Sequence, residues 1–352
     1  MAPRSDGAEL VWAVRRFARG WVECRCPDGR LIEFRSDAFG HVPCGDDFIR
    51  VRLAGLAAGS LYRVRAVTQF SASERVFSDW KSFRTLDLTA TSTKFVVWND
   101  THDRPDTIRY LNKITPDADF LIWNGDTCND WHRKEQLIPT LLNPAGCDIS
   151  AGRPLMLVWG NHDVRGEWAH CVSDLIATPE GKPYYAFRSG PVGVICLHTG
   201  EDKPDDHASF RGRVAFDPLR REQADWLEKV IEAPGIRDAP FRLVFCHLPL
   251  RWIDEPEVNY GAGGYDWFSK RSRDLWHKSL VKWKAQVVIS GHTHQDAWLP
   301  ANEEFPYAQM VSGGPRIENA RWIEGVADSS ELHLVMRDLD GKVCRTQTLS
   351  AL

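Results

Sequence analysis

Five apolar runs along this chain each stop at a polar residue of metal-ligand type: FVVWND at Asp100, FLIWNGD at Asp126, LMLVWGN at Asn161, LVFCH at His247 and VVISGHTH at His292. Runs of about four to six β-branched and aromatic residues bounded by Gly, Asn or Asp predict buried strands. Between them apolar positions recur at helical spacing, after Asp106 (Ile108, Leu111, Ile114), over 217–231 (Leu219, Ala224, Leu227, Val230, Ile231) and over 272–284 (Leu275, Leu280, Trp283). Alternating strands and helices predict an open α/β sheet, in which chemistry gathers at the carboxyl ends of the strands. Three later runs, AQMVS at 308–312, LHLVMR at 332–337 and VCRTQTL at 343–349, predict that the sheet continues antiparallel.

Up to about residue 90 the pattern is different. Short alternating runs (LVWAV, WVECRC, LIEFR, FIRVRL, YRVRAV) are separated by turn signals such as PDG at 27–29, with no helical period. They predict a small all-β sandwich. The polar segment DLTATST at 87–93 then marks a boundary, dividing the chain into a sandwich over 1–88 and an α/β domain over 89–352.

With 352 residues and 43% hydrophobic content, the chain can bury one sizeable core and a smaller second one. A net charge of −4 without any long Lys/Arg run argues against nucleic acid or an anionic membrane as a partner. No run approaches the roughly 18 apolar residues that span a bilayer, and the first twenty residues lack a signal-peptide core. These features predict a cytoplasmic protein acting on a small soluble substrate. The nine Cys are expected to be free thiols, and the C-x-C of Cys24 and Cys26 reads as packing.

Each motif alone is weak, but five ligand-bearing strand ends in one chain point to a dinuclear metal centre. Residues i and i+2 on an extended chain project to one side. Asp100 with His102, and His292 with His294, are therefore each expected to grip one ion as a pair. Asp126, on the strand expected between those of Asp100 and Asn161, is the natural bridging carboxylate. Two ions about 3.5–4 Å apart favour an in-line phosphoryl displacement and acidify a bound water. The nucleophile is then expected to be a metal-bridging hydroxide.

The ordered series D-x-H (Asp100, His102), GD-x-x-N (Gly125, Asp126, Asn129), GNHD (Gly160 to Asp163), His247 and GH-x-H (His292, His294) resembles that of the calcineurin-like metallophosphoesterases over about residues 94–316. The resemblance implies a four-layer α/β/β/α sandwich. It implies one ion held by Asp100, His102, Asp126 and His294, and a second held by Asp126, Asn161, His247 and His292. It also implies that His162 is the general acid for the leaving group, with Asp163 as its orienting partner. The stretches VRLAGLAAGSLYRVRAV at 51–67 and WKSFRTL at 80–86 resemble the last strands of a fibronectin type III or immunoglobulin-like module. Such a module before this domain is similar to the arrangement in purple acid phosphatases. The chain departs from that subfamily at Asn129, where a Tyr is expected, and at His102, which is additional. Without tyrosinate the resemblance implies a colourless pair of divalent transition-metal ions, Mn(II), Fe(II) or Zn(II).

Outside the motifs, Asn129 and Arg165 are candidate substrate contacts. The loop RWIDEPEVNYGAGGYDWF after His247 and LeuProLeu is a candidate lid, and 312–322, with Arg316 and Arg321, a candidate second wall. His198 and the strand-end Trp98, Trp123 and Trp159 read as packing. The expected activity is hydrolysis of a small-molecule phosphomonoester or phosphodiester. The alternatives are a phosphoanhydride substrate on the same centre, or a metal-binding scaffold that recruits a protein through residues 1–88.

Overall fold

The computed structural model describes residues 2–252 and 267–352. The expected lid, apart from Arg251 and Trp252 at one end and Trp267 and Phe268, the start of a helix, at the other, lies outside the described residues. Eight strands come first: β1 (Ala8–Ala13), β2 (Ala18–Arg25), β3 (Leu31–Phe34), β4 (Cys44–Gly45), β5 (Phe48–Leu53), β6 (Leu61–Gln69), β7 (Arg75–Phe77) and β8 (Lys81–Arg84). β1 pairs with β5, while β3, β2, β6 and β7 form a second sheet with β4 and β8 on its flanks. Period-two alternation sends Val22, Cys24, Val51 and Val64 into one small core with Ile49, Leu53 and Tyr62. Cys24 belongs to that core, and burial, with Cys26 nearby, pushes its thiol up to about 12. The C-x-C is packing.

The rest of the chain runs β9 (Thr93–Trp98), α1 (Pro105–Ile114), β10 (Phe120–Asn124), α2 (Leu137–Leu141), β11 (Leu155–Val158), α3 (Val172–Leu175), β12 (Tyr185–Ser189), β13 (Val192–Leu197), α4 (Phe216–Val230), α5 (Pro234–Arg237), β14 (Phe241–Cys246), α6 (Trp267–Trp283), β15 (Val287–Ser290), β16 (Ala297–Leu299), β17 (Ala308–Val311), β18 (Trp322–Ala327), β19 (Glu331–Arg337) and β20 (Val343–Ser350). These strands make two six-stranded sheets, in the orders β11-β10-β9-β18-β19-β20 and β12-β13-β14-β15-β17-β16. Phe95, Val97, Phe120 and Ile122 of the first sheet meet Val194, Phe245, Ile289 and Met310 of the second in a shared core. On the first sheet's outer face, Val96, Trp98, Leu121 and Trp123 pack with Ile108 and Leu111 of α1. On the second's, Ile195, Val244 and Val288 pack with Leu227 of α4 and Trp276 and Leu280 of α6. The architecture is a four-layer α/β/β/α sandwich preceded by an all-β region.

Two expectations about the sheet are corrected. The ligand strands do not share one open sheet: β9, β10 and β11 lie in the first, β14 and β15 in the second. A strand buried on both faces has no alternation, so its sequence does not say which sheet it joins. In the tail the expected antiparallel pairing holds for β18, β19 and β20, which extend the first sheet from β9, but not for β17, which runs parallel to β15 in the second. The β18 run, WIEGVA, is masked in the sequence by Gly325, a position where any Cβ would collide with the Phe95 ring.

The N-terminal region is sewn into the sandwich. Ala2 and Leu86 are buried within the core between the two large sheets, and the Ala2 N–H donates to the Leu155 carbonyl at 2.9 Å. Arg50 of β5 donates to the carbonyls of Ser173 and Asp174 at 2.8 and 2.6 Å.

Candidate metal centre

The loops that follow β9, β10, β11, β14 and β15 meet at one place. At several of the expected ligands the chain turns left-handed: φ is 52° at Asp100, 45° at His102, 50° at Asp126, 72° at His292 and 54° at His294. Non-glycine residues in this region carry strain that clusters at functional sites. The extended-chain argument for paired ligands is therefore corrected. Asp100 and His102 converge because the chain turns sharply after β9, and His292 and His294 diverge for the same kind of reason. Two motif glycines make the convergence sterically feasible. A Cβ at Gly160 would collide with the backbone and carboxylate of Asp126, and one at Gly291 with the carboxylate of Asp100.

Three sets of donors lie close enough to share a cation: Asp100, His102 and His294; Asp126, His247 and His292; and His102, Asp126 and His162. His292 and His294 fall in different sets. Asp100 Oδ1 is 3.4 Å from His294 Nε2 and 3.7 Å from His247 Nε2. Asp126 Oδ2 is 3.1 Å from His247 Nε2 and 3.4 Å from His102 Nε2, so this carboxylate touches both groups. Asn161 Oδ1 lies 2.9 Å from His292 Nδ1.

The tautomers suit metal donors. His247 Nδ1–H donates to the Asn124 carbonyl at 2.8 Å and His102 Nδ1–H to Asn129 Oδ1 at 3.0 Å, which leaves both Nε2 atoms facing the carboxylates, where a cation could replace a proton. His247 Nε2 is buried and makes no hydrogen bond. Asp100 and Asp126 are fully buried, and among the described residues their ion pairs are all with histidines. Buried carboxylates without Lys or Arg partners are costly unless a cation joins them. Burial opposes the charge on Asp126, yet His247, His162 and His102 hold its carboxyl far below the usual range. Burial likewise opposes a charged His247, but Asp126 and Asp100 push it up to about 10. The residues present fit a cation pair.

His162 lies beside this cluster and is partly exposed. Its backbone N–H donates to Asp126 Oδ1 at 2.9 Å. Its Nδ1 contacts the Asn129 carbonyl and lies 3.0 Å from Asp130 Oδ1. Burial works against its positive charge, but the Asp130 hydrogen bond and the charge of Asp126 prevail, so it titrates above the ordinary histidine value. The expectation that Asp163 orients His162 is corrected. The two are neighbours in a single helical turn and their side chains point apart. Asp163 accepts from the Thr127 N–H at 3.0 Å and the Gly160 N–H at 2.9 Å, clamping the β10 and β11 loops together.

The other expected residues fall out as follows. Asn129 holds His102, and Arg165 is bound by Glu201 and by Asp202 at 3.2 Å, with Nη1 3.2 Å from His162 Nε2. Arg321 pairs with Asp296 at 2.8 Å, and Arg316 is exposed beside Glu318. His198 is packed against Phe216 and the Trp159 ring, and burial pushes it down to about 3. Trp98, Trp123 and Trp159 are buried. Sequence reasoning missed Asp130, Glu201 and Asp202. Asp130 could have been weighed for its place next to Asn129, whereas Glu201 and Asp202 follow β13, a strand with no ligand motif. All nine cysteines are free, and burial pushes the Cys246 thiol, next to His247, up to about 12.

The chain belongs to the calcineurin-like phosphoesterase family, whose profile matches residues 93–296. It is 28% identical over 209 residues to the serine/threonine-protein phosphatase CPPED1 of Bos taurus and 27% identical over 200 residues to that of Homo sapiens. Each match covers 54% of this chain and 58% of the relative's length. Among solved structures, a purple acid phosphatase, PPD1, from yellow lupin (Lupinus luteus) seeds superposes with a TM-score of 0.74 at 16% identity, covering 99% of this chain and 73% of that one. The structure of PhoD gives 0.61 at 13% identity, covering 98% and 87%. These two likenesses concern the fold. No helix among the described residues is long and apolar enough to cross a membrane.

Proposed function

We propose that this chain is a metal-dependent phosphoesterase that hydrolyses a phosphate ester at a two-cation centre. The observation that carries the proposal is the pair of fully buried carboxylates, Asp100 and Asp126, ringed by histidines and by an Nε2 of His247 that has no hydrogen-bond partner. Asp100, His102, Asp126 and His294 would hold one ion, and Asp126, Asn161, His247 and His292 the other. The imidazole and carboxylate donors suit Mn(II), Fe(II) or Zn(II). When bound, such ions supply Lewis acidity and acidify a water toward neutrality.

The chain's own groups do the rest. His162, fixed on its Nδ1 side by the Asn129 carbonyl and Asp130, presents Nε2 to the leaving oxygen and gives it a proton. Arg165, held by Glu201 and Asp202 beside that Nε2, is placed to meet a phosphoryl oxygen. Asp163 acts from behind by tying Thr127 to Gly160. Residues 1–88 are proposed as a module that packs beside an α/β domain over 89–352.

The test is an activity screen of the full-length protein, reconstituted with Mn(II), Fe(II) or Zn(II), on p-nitrophenyl phosphate and bis-p-nitrophenyl phosphate. Hydrolysis that disappears in His247→Ala supports the reading. Failure to hydrolyse either ester with any of the metals would leave a metal-binding scaffold as the better account.

A further inference from the structure

The N-terminal sheet turns one face to its small core and the other to solvent, and side chains on directly opposed antiparallel residues share a face. The register therefore sorts them. Val22, Cys24, Val64 and Phe83 point into the core, while Arg19 and Arg25 of β2, Arg63 and Arg65 of β6, Arg75 of β7 and Arg84 of β8 point outward. The same outer face holds two carboxylates, and both are taken: Glu23 by Arg65 and Glu33 by Arg35, each at 2.6 Å. Arg19, Arg25, Arg63, Arg75 and Arg84 are exposed and make no ion pair among the described residues.

The charge of the whole chain conceals this face. Residues 1–88 hold 14 Lys and Arg against 11 Asp and Glu, a net of +3, so residues 89–352 carry −7 and the chain −4. The argument against an anionic membrane partner rests on the last figure and does not extend to the outer face of this sheet. Aromatic rings hold several of the arginines in place. Trp21 carries Arg35 at 3.9 Å and Arg75 at 5.1 Å, and Trp80 carries Arg65 at 4.6 Å and Arg25 at 4.8 Å. A stacked guanidinium keeps its N–H edges for bidentate contact with phosphate or carboxylate. Stacking alone does not explain the excess, because neighbouring cations repel one another until anions arrive.

Apolar side chains decide which anion fits. Leu31 is opposite Arg25, Leu61 opposite Arg84 and Phe77 opposite Val67, all on this outer face, and the three are about half-exposed. Trp21 is buried and Trp80 is overlaid by guanidinia, which leaves neither ring open for stacking on nucleic-acid bases. A sheet face roughly 15–20 Å across, with apolar groups set among cations, matches a lipid headgroup layer. There cations meet phosphate and carboxylate while apolar groups reach the acyl boundary. We propose that this face docks the protein reversibly on a membrane surface rich in anionic phospholipid. The guanidinia of Arg25 and Arg63 meet the headgroups, and Leu31 and Leu61 lie against the acyl boundary. The inference uses no residue of the metal centre and stands apart from the phosphoesterase reading.

The experiment is co-sedimentation of the full-length protein with vesicles of phosphatidylcholine, alone or with about 30% phosphatidylserine, at low and at high salt. Binding is expected to be about tenfold or more tighter to the phosphatidylserine vesicles and to fall at high salt. Arg25→Glu with Arg63→Glu should weaken it by about tenfold or more. Arg19→Glu with Arg84→Glu should do the same, and it leaves untouched the Trp80 ring that Arg25 and Arg63 overlie. An unchanged melting temperature in either pair shows that the fold is retained. Leu31→Ser with Leu61→Ser should also weaken vesicle binding by about tenfold. Equal binding to the two kinds of vesicle, or binding that survives both charge reversals, overturns the inference. Weak vesicle binding beside tight, arginine-dependent binding to poly-glutamate or to a single-stranded oligonucleotide overturns it as well, in favour of an acidic protein or a nucleic acid.

Discussion

Nε2 of His102 and Nε2 of His294 lie 3.1 Å apart, with the two rings nearly perpendicular at 86°. Two imidazole nitrogens at that distance need a proton or a cation between them. The Nδ1–H of His102 is already spent on Asn129, so its Nε2 carries the lone pair. Asn129→Ala should release that ring and weaken metal binding at one of the two positions by about 10- to 100-fold, measured by competition with a chelator. Unchanged affinity at both positions would return Asn129 to the role of a substrate contact.

His162 and Asp130 should act as a unit. His162→Ala is expected to keep its metals and lose about 10²- to 10⁴-fold in turnover on an alkyl phosphate, with a smaller loss on p-nitrophenyl phosphate, whose leaving group needs no proton. Asp130→Asn should show the same dependence on leaving group at reduced size. Asp163→Asn, by contrast, should lower the melting temperature, because its carboxylate holds Thr127 and Gly160 rather than the imidazole. A leaving-group effect confined to Asp163→Asn would restore the partner expected from the sequence.

Gly160 has no room for a methyl group next to Asp126. Gly160→Ala is predicted to displace the Asp126 carboxylate, costing about 1–3 kcal/mol in stability and reducing metal content. Chemical denaturation and elemental analysis of the purified variant check both effects. A variant with wild-type stability and full metal content would show that the β10 and β11 loops yield more readily than their packing implies.

Much of the candidate site is legible in the chain because each ligand-type residue ends an apolar run, and burial on both faces makes such runs conspicuous. The partition of His292 and His294 between two donor sets is not, since it depends on the left-handed turns at both positions, which a GH-x-H spacing does not encode. Asp130 was hidden for a similar reason: it meets His162 only through the turn after β10, whereas Asp163 is adjacent in sequence but faces the other way. In the fold, strands such as VVIS of β15 announce burial without naming their sheet, and Gly325 hides β18 because its close contact with Phe95 is a tertiary fact. The place of Asp126 between the two groups of histidines is one that strand order suggests, as β10 lies between β9 and β11.

The N-terminal region is expected to matter for stability more than a separable module would. A protein starting at Thr89 retains all the proposed ligands and His162 but loses Ala2 and Leu86 from the central core, along with the Arg50 bonds to Ser173 and Asp174. It should bind metal and hydrolyse an activated ester only with a lowered melting temperature and exposed apolar surface, seen as increased dye binding. A truncated protein as stable as the full chain would show that these contacts add little.

The central claim is that two cations act together on Asp100, Asp126 and the four surrounding histidines. Its most direct test is a titration of the chelator-stripped full-length protein with Mn(II), reading hydrolysis of p-nitrophenyl phosphate against ions bound per chain. The account predicts no turnover in the stripped protein and activity that saturates only at about two ions per chain, with Asp126→Ala failing to retain either. Full activity at one ion per chain, or activity indifferent to the chelator, would contradict it.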